Sequence, residues 1–128
     1  MGQPLQRKST IRSGANGEII TNIVCTSYVD RHLVVITQMK KFGTIIHAWS
    51  ESKADGGKYY DMVTMLGRRD DPLLNVYARQ IIEKIAAFSD KPLVLAIGLT
   101  SEGRDTETFQ GILNEIVSRT STWSPVEA

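Results

Sequence analysis

The chain has 128 residues, 41% hydrophobic and 23% charged, the balance of one globular domain long enough to bury a core without metal or disulfide support. Collagenous and wholly disordered chains are excluded. A formal net charge of +1 supplies no overall basic field, so long-range attraction to nucleic acid or an anionic membrane is not expected.

Residues 1–17 combine Arg7, Lys8 and Arg12 with Pro4, Gly14 and Gly17 and hold no acidic residue, which reads as a loose N-terminal tail. Gln6 stands where a myristoylation signal needs Ser or Thr, and no apolar core for a secretory signal is present. A single domain over 18–123 follows, with a short flexible tail at 124–128.

From Glu18 to Tyr28 the β-branched content is high and uninterrupted, which predicts a strand with apolar residues on both faces. Its lone Cys25 allows no intrachain disulfide and reads as a small buried hydrophobe. Asp30-Arg31 is a turn signal. His32–Met39 alternates as a second strand, and a link through Lys40, Lys41 and Gly43 leads to a third at Thr44–Trp49. Residues 50–58, SESKADGGK, form the longest internal loop, and Tyr59–Leu66 alternates again. Short links between these four strands predict an antiparallel meander.

The period changes at Asp71-Pro72, a helix-start pair in which the carboxylate can cap free N–H groups and Pro needs no donor. Leu74, Tyr77, Ala78, Ile81, Ile82, Ile85 and Phe88 then recur at helical spacing. Leu93–Leu99 reads as a strand, too short to span a bilayer. A second helix begins near Asp105 or Thr106, with Phe109, Ile112, Leu113, Ile116 and Val117 on its packed face, and ends soon after Arg119. The fold class is therefore α+β: a predominantly antiparallel sheet with two packed helices, in the order four strands, helix, strand, helix. The helices can share one sheet face, leaving the other for a partner or second copy, or sit one on each face; periodicity leaves both arrangements open.

Chemistry is hard to find. His32 and His47 are the only histidines and Cys25 the only cysteine, and no short ligand spacing or nucleophile motif joins them. Asp55-Gly56-Gly57-Lys58, and Gly98 with Gly103, lack the phosphate-loop order. Asp70 with Asp71 reads as helix capping rather than an acid–base pair, and Tyr59 and Tyr60 point to opposite faces, a poor pattern for stacking RNA bases. No catalytic residue, cofactor or metal is expected. Surface recognition remains: Lys40, Lys41, Arg68 and Arg69 are placed to steer docking to an acidic surface, with Phe42 and Trp49 as buried apolar contacts.

Cys25-Thr26 after a β-branched run, Leu33-Val34-Val35-Ile36-Thr37-Gln38 before Gly43-Thr44, and Leu66-Gly67 through Asp71-Pro72-Leu73 to Val76-Tyr77-Ala78 together resemble the proteasome assembly chaperone 3 family. The resemblance runs from about residue 17 to Trp123. It implies a noncatalytic α+β chaperone that acts early on the α-subunit ring of the core particle. It also implies pairing with the fourth assembly chaperone, a capacity to self-associate, and a cytoplasmic and also nuclear location. The basic N-terminal stretch and the SESKADGGK loop depart from the family pattern. A small homodimeric scaffold for a different complex is the alternative, and an enzyme built on His32, His47 and Cys25 is third.

Overall fold

A computed structural model describes residues 5–38 and 43–118. The elements run β1 (Leu5–Ser13), β2 (Ile19–Ser27), β3 (His32–Thr37), β4 (Thr44–Ser52), β5 (Lys58–Leu66), α1 (Pro72–Ala86), β6 (Leu93–Gly98) and α2 (Thr106–Val117). The strands make one six-stranded sheet in the order β1-β2-β3-β6-β4-β5. All neighbours are antiparallel except β3 and β6. The α+β class with a mostly antiparallel sheet and two helices is therefore correct, whereas the expected element order is not.

The first correction is β1, which occupies much of the stretch read as a loose tail. It pairs with β2 over its whole length, Leu5 opposite Ser27 through Ser13 opposite Ile19. Its inward face is nearly all polar. Ile11 alone joins the core margin, while Ser9 Oγ donates to Glu115 Oε2 at 3.3 Å and Ser13 Oγ lies 2.6 Å from Thr108 Oγ1. A strand held by backbone ladder and hydroxyl contacts carries little hydrophobic alternation for a sequence pattern to detect.

The second correction concerns the meander. β3 and β4 are antiparallel but not adjacent, because β6 lies between them. Gln38 N–H donates to the Gly98 carbonyl and Gly43 N–H to that of Ile97, so the last described residue after β3 and the first before β4 both hold the end of β6. Spanning two strand spacings needs only about 10 Å, which a short link covers easily. The continuously apolar β6 takes this central slot, with Leu93, Leu95 and Ile97 buried on the helix side and Val94 half-buried on the other. At the other edge, the SESKADGGK loop is shorter than expected: β4 runs on to Ser52, β5 starts at Lys58, and Gly56 turns the chain at φ 91°.

Both helices pack on one face. The core joins Ile23, Val34, Ile36, Ile46, Leu93, Leu95 and Ile97 of the sheet to Leu74, Tyr77, Ile81 and Ile85 of α1 and Ile112 and Ile116 of α2. Full burial of one such side chain is worth about 1.5–3 kcal/mol. Tyr77 meets Phe109 edge-on at 4.7 Å between ring centroids, tying the helices together. Phe88 does not complete the α1 stripe: the helix has ended, and its ring is 37% exposed. Pro72 opens α1 as expected, but the Asp71 side chain makes no capping hydrogen bond. It turns instead to Arg104 Nη2 at 2.6 Å, an ion pair between the loops entering α1 and α2 that holds its carboxyl below the usual range. Asp105 does cap α2, accepting from Thr108 N–H.

Candidate protein-binding surface

With both helices on one side, no described element covers the other face of the sheet, and register fixes what stands on it. One cross-strand row reads Lys8, Val24, Val35, Ala96, Ile45, Leu66; the next reads Gln6, Thr26, Leu33, Val94, His47, Val63. Apolar residues of β2, β3, β6 and β4 thus form a continuous band across the middle. Ile20, Val63 and Met65 are exposed around it, and Val24, Leu33, Val35, Ile45 and Val94 are only half-buried. Lys8, Thr10 and Arg12 rim the band on β1, and Asp61 rims it on β5. Trp49 stands on this face against His47, ring centroids 5.2 Å apart. The loop carrying Tyr28, Asp30 and Arg31 borders shallow crevices beside Leu33 and Val94. Such a band, apolar at its centre and polar at its rim, has the anatomy of an interface.

The proposed steering residues fall in different places. Lys40, Lys41 and Phe42 lie outside the described residues. Arg68 pairs with Asp70 at 3.2 Å in full solvent exposure, which cancels much of its outward charge. Arg69 makes no hydrogen bond or ion pair among the described residues and lines a groove between β5 and α1. Gly43 and Thr44 lie close against Gly67, so the start of β4 and the end of β5 meet at one end of the sheet. Trp49 belongs to the open face instead.

The sheet itself dissolves the proposed His–His–Cys set. Cys25 and His32 point into the helix side, both almost completely buried, whereas His47 points to the open side beside Val94 and Val63. Among the described residues no three His, Cys, Asp or Glu side chains gather as a metal site. His32 has different company: Ser27 Oγ lies 3.1 Å from its Nδ1, and Lys91 Nζ donates to the same Oγ at 3.1 Å and to the Tyr28 carbonyl at 2.7 Å. Lys91 thus places a positive charge beside the same hydroxyl that meets the imidazole. Burial first, then the Lys91 charge, lowers the His32 pKa to about 4, against a smaller upward pull from the Ser89 backbone. This network closes the β2–β3 turn over the start of β6. Ser27 is itself buried, so it offers no substrate an approach.

The sequence pattern left the open band as one of two arrangements because each member alternates correctly as a strand residue. Only the shared side of the helices, invisible to periodicity, tells which face stays bare.

Comparison with known proteins agrees with a binding scaffold. The family model described as Proteasome assembly chaperone 3 matches residues 34–119. Proteasome assembly chaperone 3 of Bos taurus is 27% identical over 126 residues, covering 95% of this chain and 98% of that protein. The Nematostella vectensis protein of the same name is 31% identical over 107 residues, covering 77% and 78% respectively. Among solved structures, a chain from a chaperone complex for yeast 20S proteasome assembly superposes with TM-score 0.70 at 15% identity, covering 91% of this chain and 98% of that one. That likeness is one of fold.

Proposed function

Because the chain belongs to the proteasome assembly chaperone 3 family, whose model spans residues 34–119, we propose that it is a noncatalytic chaperone that uses the open sheet face to pair with a second assembly chaperone. In this reading the pair acts early in assembly of the α-subunit ring of the proteasome core particle, and the second chaperone is the fourth assembly chaperone. The bare apolar band of β2, β3, β6 and β4 carries the proposal. Two sheets stack about 10 Å apart with interdigitated side chains, and a partner sheet laid on this face would bury Leu33, Val35, Ile45 and Val94 together with Trp49. The β5–α1 loop stays outside such a sandwich, which leaves Arg69, with Arg68 and the basic stretch Lys40, Lys41 and Phe42, to meet an acidic α-subunit surface.

Val35→Glu tests the pairing. The side chain is half-buried on the open face, so a charge there leaves the core intact but would be desolvated, without a partner, in a complex. Affinity capture from the source cell should recover a fourth-chaperone partner and immature α-subunits with the wild-type chain. The variant should lose the partner while keeping its far-ultraviolet circular dichroism. Capture of neither by the wild-type chain sinks the assembly role. Equal capture of the partner by Val35→Glu sinks the open face as its seat. A self-associating scaffold for another complex predicts a dimer in sedimentation that the same substitution breaks, with no α-subunit recovered.

A further inference from the structure

We propose that the groove between the outer edge of β5 and α1 is a second docking site, which takes an extended acidic segment of a partner protein as an additional strand. The inference deepens the acidic-partner role given above to Arg69 and is independent of what covers the open face.

Among the described residues β5 ends the sheet and pairs with no strand but β4, so alternate residues present backbone groups outward. Tyr60 and Met62 are such residues. The Tyr60 carbonyl faces Arg79 Nη2 at 3.5 Å, and Met62 N–H donates to the Asp61 carboxylate at 2.8 Å. Both outward groups are thus met by solvent-exposed side chains, which an incoming strand can displace.

The helix layer supplies the floor. Asn75, Val76 and Arg79 of α1 line the groove opposite Tyr60–Thr64. Val76 is 45% exposed, whereas Leu74, Tyr77, Ala78, Ile81, Ile82 and Ile85 of the same helix are buried against the sheet. A strand added about 4.8 Å beyond β5 would lie over this overhang and cover Val76 with its inward side chains.

Charge selects the occupant. Arg69 projects into the groove without a partner among the described residues. Arg79 holds Glu83 only loosely at 3.9 Å. A carboxylate on the added strand can take Arg69 in a charge-assisted hydrogen bond, while the backbone ladder supplies sequence-tolerant affinity.

The test uses the full chain and a synthetic probe, so that it does not depend on the proteasome reading. The probe is a short Thr/Val-alternating peptide carrying two glutamates; controls are its lysine twin and two versions N-methylated at alternate backbone positions, one in each phase. The expected result by NMR is that the glutamate peptide shifts the Tyr60, Met62 and Thr64 amides and the lysine twin does not. N-methylation in one phase should abolish binding and in the other spare it. Arg69→Glu should weaken binding about tenfold or more, the scale of one charge-assisted hydrogen bond. Asp61→Ala, which frees the Met62 N–H and removes a repelling carboxylate, should strengthen it. Absence of binding, equal binding of the two N-methylated phases, or indifference to Arg69→Glu overturns the proposal.

Discussion

Lowering the pH should loosen this fold in a window set by one imidazole. In the folded chain His32 resists protonation down to about 4, whereas unfolding restores the ordinary 6.5. Between those values the unfolded state binds the additional proton, so stability is complete above 6.5 and drains as pH falls toward 4. At about 1.4 kcal/mol per pH unit, the ceiling on that loss is about 3 kcal/mol, a large share of a typical domain's stability. Two of the depressed carboxylates act lower. Asp90, held down by the Ser50 hydroxyl and then Lys58, and Asp105, held down by Thr108, start from 3.8, so their contributions are lost only as acid titrates them below that value. Urea unfolding at several pH values between 7.5 and 4 should show falling stability in the wild type and a flatter profile in His32→Gln, whatever its absolute stability. Parallel profiles, or an NMR titration placing the folded His32 near 6.5, would refute the argument from burial and Lys91.

Two further perturbations probe the loops that shape the basic end of the sheet. Gly67 has φ 96°, and a Cβ there would strike the Gly43 carbonyl and Thr44. Gly67→Ala should therefore cost more than about 2 kcal/mol, whereas Gly56→Ala, at φ 91° in open space, should cost only the backbone term of about 1–2 kcal/mol; equal urea midpoints for the two would remove the steric part. The Gln38 amide donates to Thr21 Oγ1 and the Gly103 carbonyl and accepts from Thr100 N–H, pinning the β6–α2 loop. Gln38→Ala should destabilise by about 1–3 kcal/mol, and because a Cβ on Gly103 would collide with that amide, Gly103→Ala should cost less in the Gln38→Ala background. A double-mutant cycle that closes additively would disprove the contact.

Much of the fold was legible in the residues because local rules decided it. The switch from alternation to helical spacing at Asp71-Pro72 located α1, and six of its seven proposed stripe residues are buried. What escaped were features fixed by tertiary competition. Asp71 had two suitors, its own helix N-terminus and Arg104, and the partially buried ion pair prevailed over the cap. The β3–β4 link was short enough for a hairpin, yet equally able to reach past one strand, and the uniformly apolar β6 occupied the central slot, with Leu93, Leu95 and Ile97 buried under the helices. β1 escaped for the converse reason: its inward positions are Arg7, Ser9, Ile11 and Ser13, so hydrogen bonds to β2 and α2 place it where hydrophobic pattern says little.

The same distinction governs the functional surface. Arg68 and Arg69 are equivalent as adjacent letters, but Asp70 neutralises one and leaves the other facing a groove. His32 and His47 are equivalent as bases until the pleat sends them to opposite faces, one into a neutral buried network and the other onto Trp49 in the open band. A strand residue's contribution to recognition therefore depends on which side the helices leave bare, and that is decided by α1 and α2 packing together through Tyr77 and Phe109. Once they share a face, the apolar residues of β2, β3, β4 and β6 that looked like a second half of the core become the surface a partner can cover.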